Sequence, residues 1–206
     1  MNFDQRTTKE LIQAIAQTVF DHAEELTDLD RAIGDADHGV NLDRGFKAVI
    51  EQIDAIAAKP LGEALSDIGI TLIRNVGGAS GPLYGKVFFT LGKHVGATEM
   101  THPGMVAACD EAIRVIKGLG KSDVGEKTML DVLVPVLDEL RAGGGRAALG
   151  RLRDRACVAA QATVPMVARR GRASYLRERS QGHMDPGARS SELIVGAVCN
   201  FLEARL

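Results

Sequence analysis

The stretch TTKELIQAIAQTVFDHA at residues 7–23 decides the fold class, because its apolar residues recur at the spacing of an α-helix. Thr7 and Glu10 form a capping box, which marks the N-terminus of a helix. Leu11, Ile15 and Val19 follow at four-residue spacing and therefore lie on one face. The segment is predicted to be an amphipathic helix with one buried face.

The same periodicity continues along the chain. No segment alternates apolar and polar residues with period two, which argues against strands. We therefore predict an all-α protein with one domain over residues 1–206 and eight helices. The first begins at Thr7, the second covers 42–56, three follow Pro60, Pro82 and Pro103, and the last three cover 128–140, 146–170 and Ser191 to the end.

Composition excludes several classes of protein. Three widely spaced cysteines without a CxxC pair argue against a disulfide framework and a zinc site. No apolar run approaches the ~20 residues of a membrane span, and the first residues lack the layout of a signal peptide. Trp is absent and Tyr occurs twice, so base stacking on aromatic side chains has little to use. These features predict a cytoplasmic protein without a membrane or nucleic-acid partner.

Charge is distributed unevenly. The net charge of the chain is −2, but residues 141–189 hold 11 Arg, no Lys and only 3 acidic residues. Arginine suits planar recognition of phosphate, so this stretch suggests phosphates or an acidic partner. The alternative is a solvated basic surface.

Three aspartates fall within eight residues, where the first predicted helical region should end. Asp30, Asp35 and Asp37 cannot share one helix face, but a turn after Gly34 could bring them together. Clustered carboxylates repel one another unless a cation lies between them, and Mg²⁺ prefers such oxygen ligands. The alternative is that Asp35 and Asp37 are turn residues and that Asp30 is a solvated acid.

Three other connections are rich in small residues or arginine. Residues 75–85 lead into the helix after Pro82, whose free N–H groups favour an anion, although tight helix packing explains the small residues equally well. Residues 118–128 contain Gly-Lys-Ser, but Val115 stands where a P-loop needs glycine, so that motif is rejected. Residues 171–189 combine arginines with small residues, as a phosphate site or an ordinary basic loop would.

Four motifs in order resemble the nucleotide-binding L-subunit family of dihydroxyacetone kinases, and the likeness spans essentially the whole chain. They are GDADHGVN (34–41), GGASGPLYG (77–85), GEKTMLD (125–131) and GRASYLRERSQGHMDPGA (171–188). The resemblance implies a barrel of eight antiparallel helices with the nucleotide at one end. It also implies two Mg²⁺ ions held by Asp30, Asp35 and Asp37. The implied contacts to ADP or ATP fall on His38, Gly39, Asn41, Ala79, Ser80, Gly120, Met129, Arg172, Asp185, Pro186 and Gly187.

The resemblance further implies partner subunits. A phosphohistidine protein of the phosphotransferase system would phosphorylate the bound ADP, and a separate K subunit would hold the dihydroxyacetone, because 206 residues leave no room for that domain. Two alternatives stay open: an ATP-dependent kinase of a ketose such as erythrulose, and a nucleotide-binding regulator that docks on a transcription factor. The oligomeric state also stays open, with a homodimer as one candidate. The chain departs from the family pattern at Ala36 and Arg177, where glycine is usual.

Overall fold

The computed structural model describes residues 3–95 and 101–206, so residues 1, 2 and 96–100 of the predicted domain lie outside the described residues. The described residues form ten α-helices, one 3₁₀-helix and no strand, which confirms the all-α prediction. No helix among them combines the length and apolar character needed to cross a membrane. The helices are α1 (Gln5–Asp21), α2 (Ala23–Ile33), α3 (His38–Glu51), α4 (Ile53–Ala57), α5 (Leu61–Asn75), α6 (Ser80–His94), α7 (His102–Gly120), α8 (Leu130–Ala142), α9 (Arg146–Ala162) and α10 (Pro186–Glu203), with the 3₁₀-helix at Arg172–Ser180.

The prediction of eight helices was wrong in number, since residues 3–95 and 101–206 contain ten α-helices. Single residues interrupt two of the expected helical regions. His22 (φ −114°, ψ 9°) separates α1 from α2, and Gln52 (φ −109°, ψ 9°) separates α3 from α4. Neither break contains glycine or proline, which would have marked it in the sequence. The apolar pattern continues across both breaks. Counted across these two breaks, residues 3–95 and 101–206 contain eight helical units.

Two predicted boundaries also move. The helix expected over 146–170 ends at Ala162, because Pro165 follows closely and has no N–H for a helical hydrogen bond. The hydroxyl of Thr163 donates instead to the carbonyl of Ala160, at 2.7 Å. The last helix begins at Pro186 rather than Ser191, and its N-cap is Asp185. Residues between these two helices form much of the functional site.

The helices pack in a closed ring. Around the ring, α1 contacts α3, and α3 contacts α5. Each helix from α6 to α10 contacts the helix before it in the chain, and α10 contacts α1. The apolar faces meet inside this ring, where Phe46 and Phe88 lie edge to face with centroids 6.3 Å apart. The antiparallel barrel inferred from the resemblance stays a prediction, and a closed ring is the arrangement that it requires.

The closest helix contact in the ring joins α5 to α6 through glycines. A Cβ atom at Gly69 would lie 2.5 Å from the carbonyl oxygen of Gly85, and one at Gly92 would lie 2.4 Å from that of Gly62. Any side chain at these positions would separate the two backbones. The close approach fixes the connection between these helices, residues 76–79, which reaches the functional site.

Candidate functional site

A cleft of about 780 Å³ opens where the four predicted motifs meet. Such a volume lies within the usual range for small-molecule and cofactor sites, about 300–1,000 Å³. The structure therefore brings together segments that are far apart in the sequence. The predicted site residues that line the cleft are Asp30, Asp35, Asp37, His38, Ala79, Ser80, Met129, Arg172, Asp185, Pro186 and Gly187.

The three aspartates converge at one side of this cleft. One carboxylate oxygen from each of Asp30, Asp35 and Asp37 lies within 4.8 Å of the other two. Asp30 is buried in the last turn of α2, and its carboxylate accepts from the N–H groups of Asp37 (2.8 Å) and His38 (3.2 Å). These bonds hold the start of α3 against the end of α2. The donor set fits Mg²⁺, which prefers carboxylate oxygens.

Backbone conformation explains how so short a connection closes. A Cβ atom at Gly34 would lie 2.0 Å from a carboxylate oxygen of Asp30, so a larger residue there would displace this carboxylate. Ala36 has φ 60°, in the left-handed region that favours glycine. Ala36, which stands where the family usually has glycine, therefore has a strained backbone. The strain costs ~1 kcal/mol and leaves the three aspartates together.

Arg172 brings positive charge to the aspartates from the 3₁₀-helix. Its Nε lies 2.9 Å from a carboxylate oxygen of Asp35. Below it, Ala173 and Leu176 pack with Ile33 at the end of α2, which seats this helix beside the cleft. The guanidinium is largely exposed and faces the open side, where it can also reach an anion.

The glycine-rich connection 76–79 forms a second wall of the cleft. Gly78 has φ 64°, and the following turn leads directly into α6, which begins at Ser80. From behind, Arg44 donates to the carbonyl of Asn75 (2.8 Å) and to the side-chain oxygen of Asn41 (2.7 Å). The unpaired N–H groups at the start of α6 favour an anion in the cleft.

His38 connects this wall to α10 through buried hydroxyl groups. Its Nδ1 lies 3.0 Å from Oγ of Ser80, and its Nε2 lies 2.9 Å from Oγ of Ser190. Tyr84 lies 2.7 Å from the same oxygen of Ser190 and 2.8 Å from Oγ of Ser191. Burial lowers the pKa of His38 to about 4, so the ring is neutral at pH 7, where it can donate from one nitrogen and accept at the other.

Asp185 marks the start of α10 at the far side of the cleft. Its carboxylate accepts from the N–H of Ala188 at 2.7 Å and thus caps the helix. Burial raises the pKa of Asp185 to about 7, against the opposing effect of that hydrogen bond. Pro186 and Gly187 follow in the first turn and line the same wall.

Three of the predicted contact residues do not line the cleft. Gly39 packs against α2, where a Cβ atom would lie 1.9 Å from the carbonyl oxygen of Ala23. Asn41 is buried behind the glycine-rich connection and supports it. Gly120 ends α7 next to Leu83, which does line the cleft. These residues shape the site from outside its surface.

Sequence reasoning missed Lys127, Tyr84 and Ser190. Tyr84 and Ser190 lie on predicted helix or loop segments without any spacing that distinguishes them from core residues. Lys127 lies in the motif GEKTMLD, but a lysine between a glutamate and a threonine is typical of a surface residue. Its full burial depends on carbonyl groups from a distant segment, described below.

Comparisons with known proteins show the family to which the chain belongs. The DAK2 domain model matches residues 32–200. The chain is 45% identical over 174 residues (82% of the chain, 83% of the relative) to the Escherichia coli "PEP-dependent dihydroxyacetone kinase, ADP-binding subunit DhaL". It is 37% identical over 199 residues (96% and 97%) to "PEP-dependent dihydroxyacetone kinase 1, ADP-binding subunit DhaL" of Listeria innocua.

A solved structure shares the fold. The dihydroxyacetone kinase from C. freundii in complex with AMP-PNP and Mg²⁺ superposes with a TM-score of 0.75 at 22% identity. The comparison covers 94% of this chain and 33% of that one, so the chain spans about a third of the larger protein. The family model and the two relatives together establish that this chain belongs to the DAK2 domain family.

Proposed function

We propose that the chain is the ADP-binding subunit of a phosphoenolpyruvate-dependent dihydroxyacetone kinase. The observation that carries this proposal is the convergence of Asp30, Asp35 and Asp37 in a cleft of about 780 Å³, opposite the N-terminus of α6 and beside Arg172. Carboxylates, helix N–H groups and a guanidinium are the groups that bind a metal–nucleotide complex. The similarity to subunits named for ADP binding supports the same conclusion.

Each wall of the cleft has its own role in this proposal. Asp30, Asp35 and Asp37 hold the Mg²⁺ ions, two in number. The backbone N–H groups at Ala79 and Ser80 and the guanidinium of Arg172 bind phosphate oxygens. When bound, the metal ions neutralise charge on the phosphates, which is the main requirement of phosphoryl transfer.

The remaining cleft residues orient the nucleotide and exclude water. His38, held neutral by burial, stays fixed between Ser80 and Ser190 and keeps a constant hydrogen-bonding pattern on that wall. Met129, Pro186 and Gly187 offer an apolar surface and close backbone approach on the opposite side. Chemistry at this site therefore depends on positioning and charge, and no side chain acts as a nucleophile.

Two partner proteins belong to the proposal. A phosphohistidine protein of the phosphotransferase system supplies the phosphoryl group, and a K subunit holds the dihydroxyacetone that receives it. A cytoplasmic location accompanies this relay. The open mouth of the cleft, next to the exposed Arg172, is where both partners would reach the nucleotide.

Reconstitution tests the proposal. Purified protein should retain ADP, and it should form dihydroxyacetone phosphate when mixed with a K subunit, dihydroxyacetone and a phosphoenolpyruvate-driven relay. Free ATP in place of the relay is the control. Turnover with ATP alone would favour an ATP-dependent ketose kinase, and no nucleotide binding at all would refute the proposed site.

A further inference from the structure

Lys127 has no role in the proposed contacts to nucleotide or metal, yet it is buried beside the cleft. Only 1% of its surface is exposed. Its backbone has φ 63°, a conformation that non-glycine residues rarely adopt. Burial lowers the pKa of Lys127 from its ordinary value, while the carboxylate of Asp185 opposes that effect. A strained backbone and a buried ammonium persist only where the surrounding structure holds them.

Carbonyl oxygens surround the ammonium. Nζ has three N–H donors, and it lies within hydrogen-bond distance of the carbonyl oxygens of Thr163 (3.0 Å) and Met166 (3.1 Å), and of Ser180 (2.8 Å) and His183 (2.6 Å). A fifth carbonyl, of Val164, lies at 3.5 Å. Among the described residues no carboxylate forms an ion pair with Lys127, so these backbone dipoles satisfy its charge.

These carbonyls belong to the two ends of one segment, residues 163–183, which we call the strap. One end follows α9, and the other runs from Ser180, the last residue of the 3₁₀-helix, to His183. The middle of the strap, residues 169–175, lines the cleft and includes Arg172. The ammonium therefore contacts both ends of the segment that carries the proposed phosphate-binding arginine, and the N–H of Gly182 also donates to the carbonyl of Val164 between them, at 2.9 Å.

The anchor of the strap is itself rigid. Asp131, in the first turn of α8, accepts from the N–H of Gly125 (2.5 Å) and from that of Thr128 (2.7 Å), on either side of Lys127. The hydroxyl of Thr128 accepts in turn from the N–H of Leu130 at 3.2 Å. The loop before α8 is thus fixed to its helix. The contacts of Lys127 in turn fix the strap relative to this loop.

We propose that Lys127 is the positioning residue of the strap, and that its ammonium holds both strap ends in the place from which Arg172 reaches bound phosphate. The part that concerns phosphate rests on the proposed function. The part that concerns the strap rests on the carbonyl contacts alone, so the two can be tested separately.

Hydrogen exchange without nucleotide tests the strap. In Lys127→Met, which keeps the length of the side chain but removes its charge and donors, amides of residues 167–182 should exchange at least about tenfold faster. Amides in α5 and α6 should be unchanged. The matched control is Lys121→Met, since Lys121 lies in the same connection and also has positive φ (47°), but is exposed. Unchanged exchange in the strap of Lys127→Met would overturn the proposal.

Binding of ADP with Mg²⁺ tests the link to Arg172. Lys127→Met should weaken ADP binding about tenfold or more, while Mn²⁺ binding to the three aspartates without nucleotide stays close to that of the wild type. In the Arg172→Ala background the same substitution should have little further effect, because both changes remove one contact. Additive losses would show that Lys127 does not act through Arg172. If the wild type fails to bind ADP, the proposed function fails while the exchange result still stands.

A measurement on the wild type covers the case in which Lys127→Met does not fold. With ¹⁵N-labelled lysine, the enclosed ammonium of Lys127 should give an Nζ–H resonance at neutral pH, because its protons are shielded from water. Exposed lysines such as Lys121 exchange these protons rapidly and give none. Absence of a protected resonance would refute the enclosed ammonium and, with it, the proposal.

Discussion

Replacing Arg177 by glycine should stabilise the protein. Arg177 has φ 52° and ψ −126°, within the 3₁₀-helix segment, a region of backbone conformation populated almost only by glycine. Holding a side-chain residue there costs of order 1–3 kcal/mol. Glycine reduces this gain by ~0.5–1 kcal/mol, because its unfolded chain has more conformational freedom to lose on folding. The exposed guanidinium of Arg177 makes no hydrogen bond or ion pair among residues 3–95 and 101–206, so its removal loses no such contact.

The net expectation is a gain of ~1 kcal/mol, which corresponds to ~2–4 °C in Tm for a domain of this size. Thermal unfolding followed by circular dichroism measures it. Arg177→Ala is the matched control: it removes the same charge and side chain but keeps Cβ, so its free energy of unfolding should stay within ~0.5 kcal/mol of that of the wild type. If Arg177→Ala raised Tm as much as Arg177→Gly, the gain would come from removing charge, and the argument from backbone strain would be wrong.

Four further predictions concern the cleft. Asp35→Asn should lower phosphoryl transfer by orders of magnitude and leave the helices intact; Asp67→Asn, which breaks only a surface ion pair with Lys59, is its control, and near-normal turnover of Asp35→Asn would contradict the metal site. Arg172→Ala should raise the Kd for ADP more than the Kd for Mn²⁺, measured by titration; equal changes would argue against phosphate binding. Removing metal and nucleotide with EDTA and dialysis should lower Tm, because a ligand at a thousand times its Kd adds ~4 kcal/mol; an unchanged Tm would count against the site. The pKa of Asp185 in the folded protein, about 7, exceeds that of an unfolded aspartate, so the folded state binds this proton more tightly. The free energy of unfolding should therefore fall as pH rises from about 4 to 7. Denaturant titrations of wild type and Asp185→Asn across that range test this, and an identical pH slope in both would refute it.

The sequence predicted the helices well where an apolar stripe alone determines them. The stripe after Pro60 became α5, and the one after Pro103 became α7, with first residues close to those expected. Periodicity could not reveal the breaks at His22 and Gln52, since one non-helical residue leaves the stripe in register. It extended a helix to residue 170 and left residues 171–189 as a connection, because the backbone carbonyls that hold residues 163–183 occur in every residue and form no sequence pattern.

The candidate site was predictable in its charged groups and less so in its supports. Asp30, Asp35 and Asp37 could be grouped because they share one short connection, and the structure brings their oxygens within 4.8 Å. The positive φ of Ala36 likewise follows from where glycine is usual. Lys127 could not be placed, since its partners lie 36 to 56 residues further along the chain.

The contact between α10 and α1 leaves the two ends of the described chain side by side. Phe3 packs with Phe201, and Arg205 donates to Glu10 at 2.7 Å. The cleft meets the other end of α10, at Pro186, and 18 helical residues extend over ~27 Å. A short linker could therefore join the ends, and new termini could open at the turn over residues 143–145, where Gly144 and Gly145 are exposed. Such a circular permutant would keep every wall of the cleft while reversing which half of the ring leaves the ribosome first.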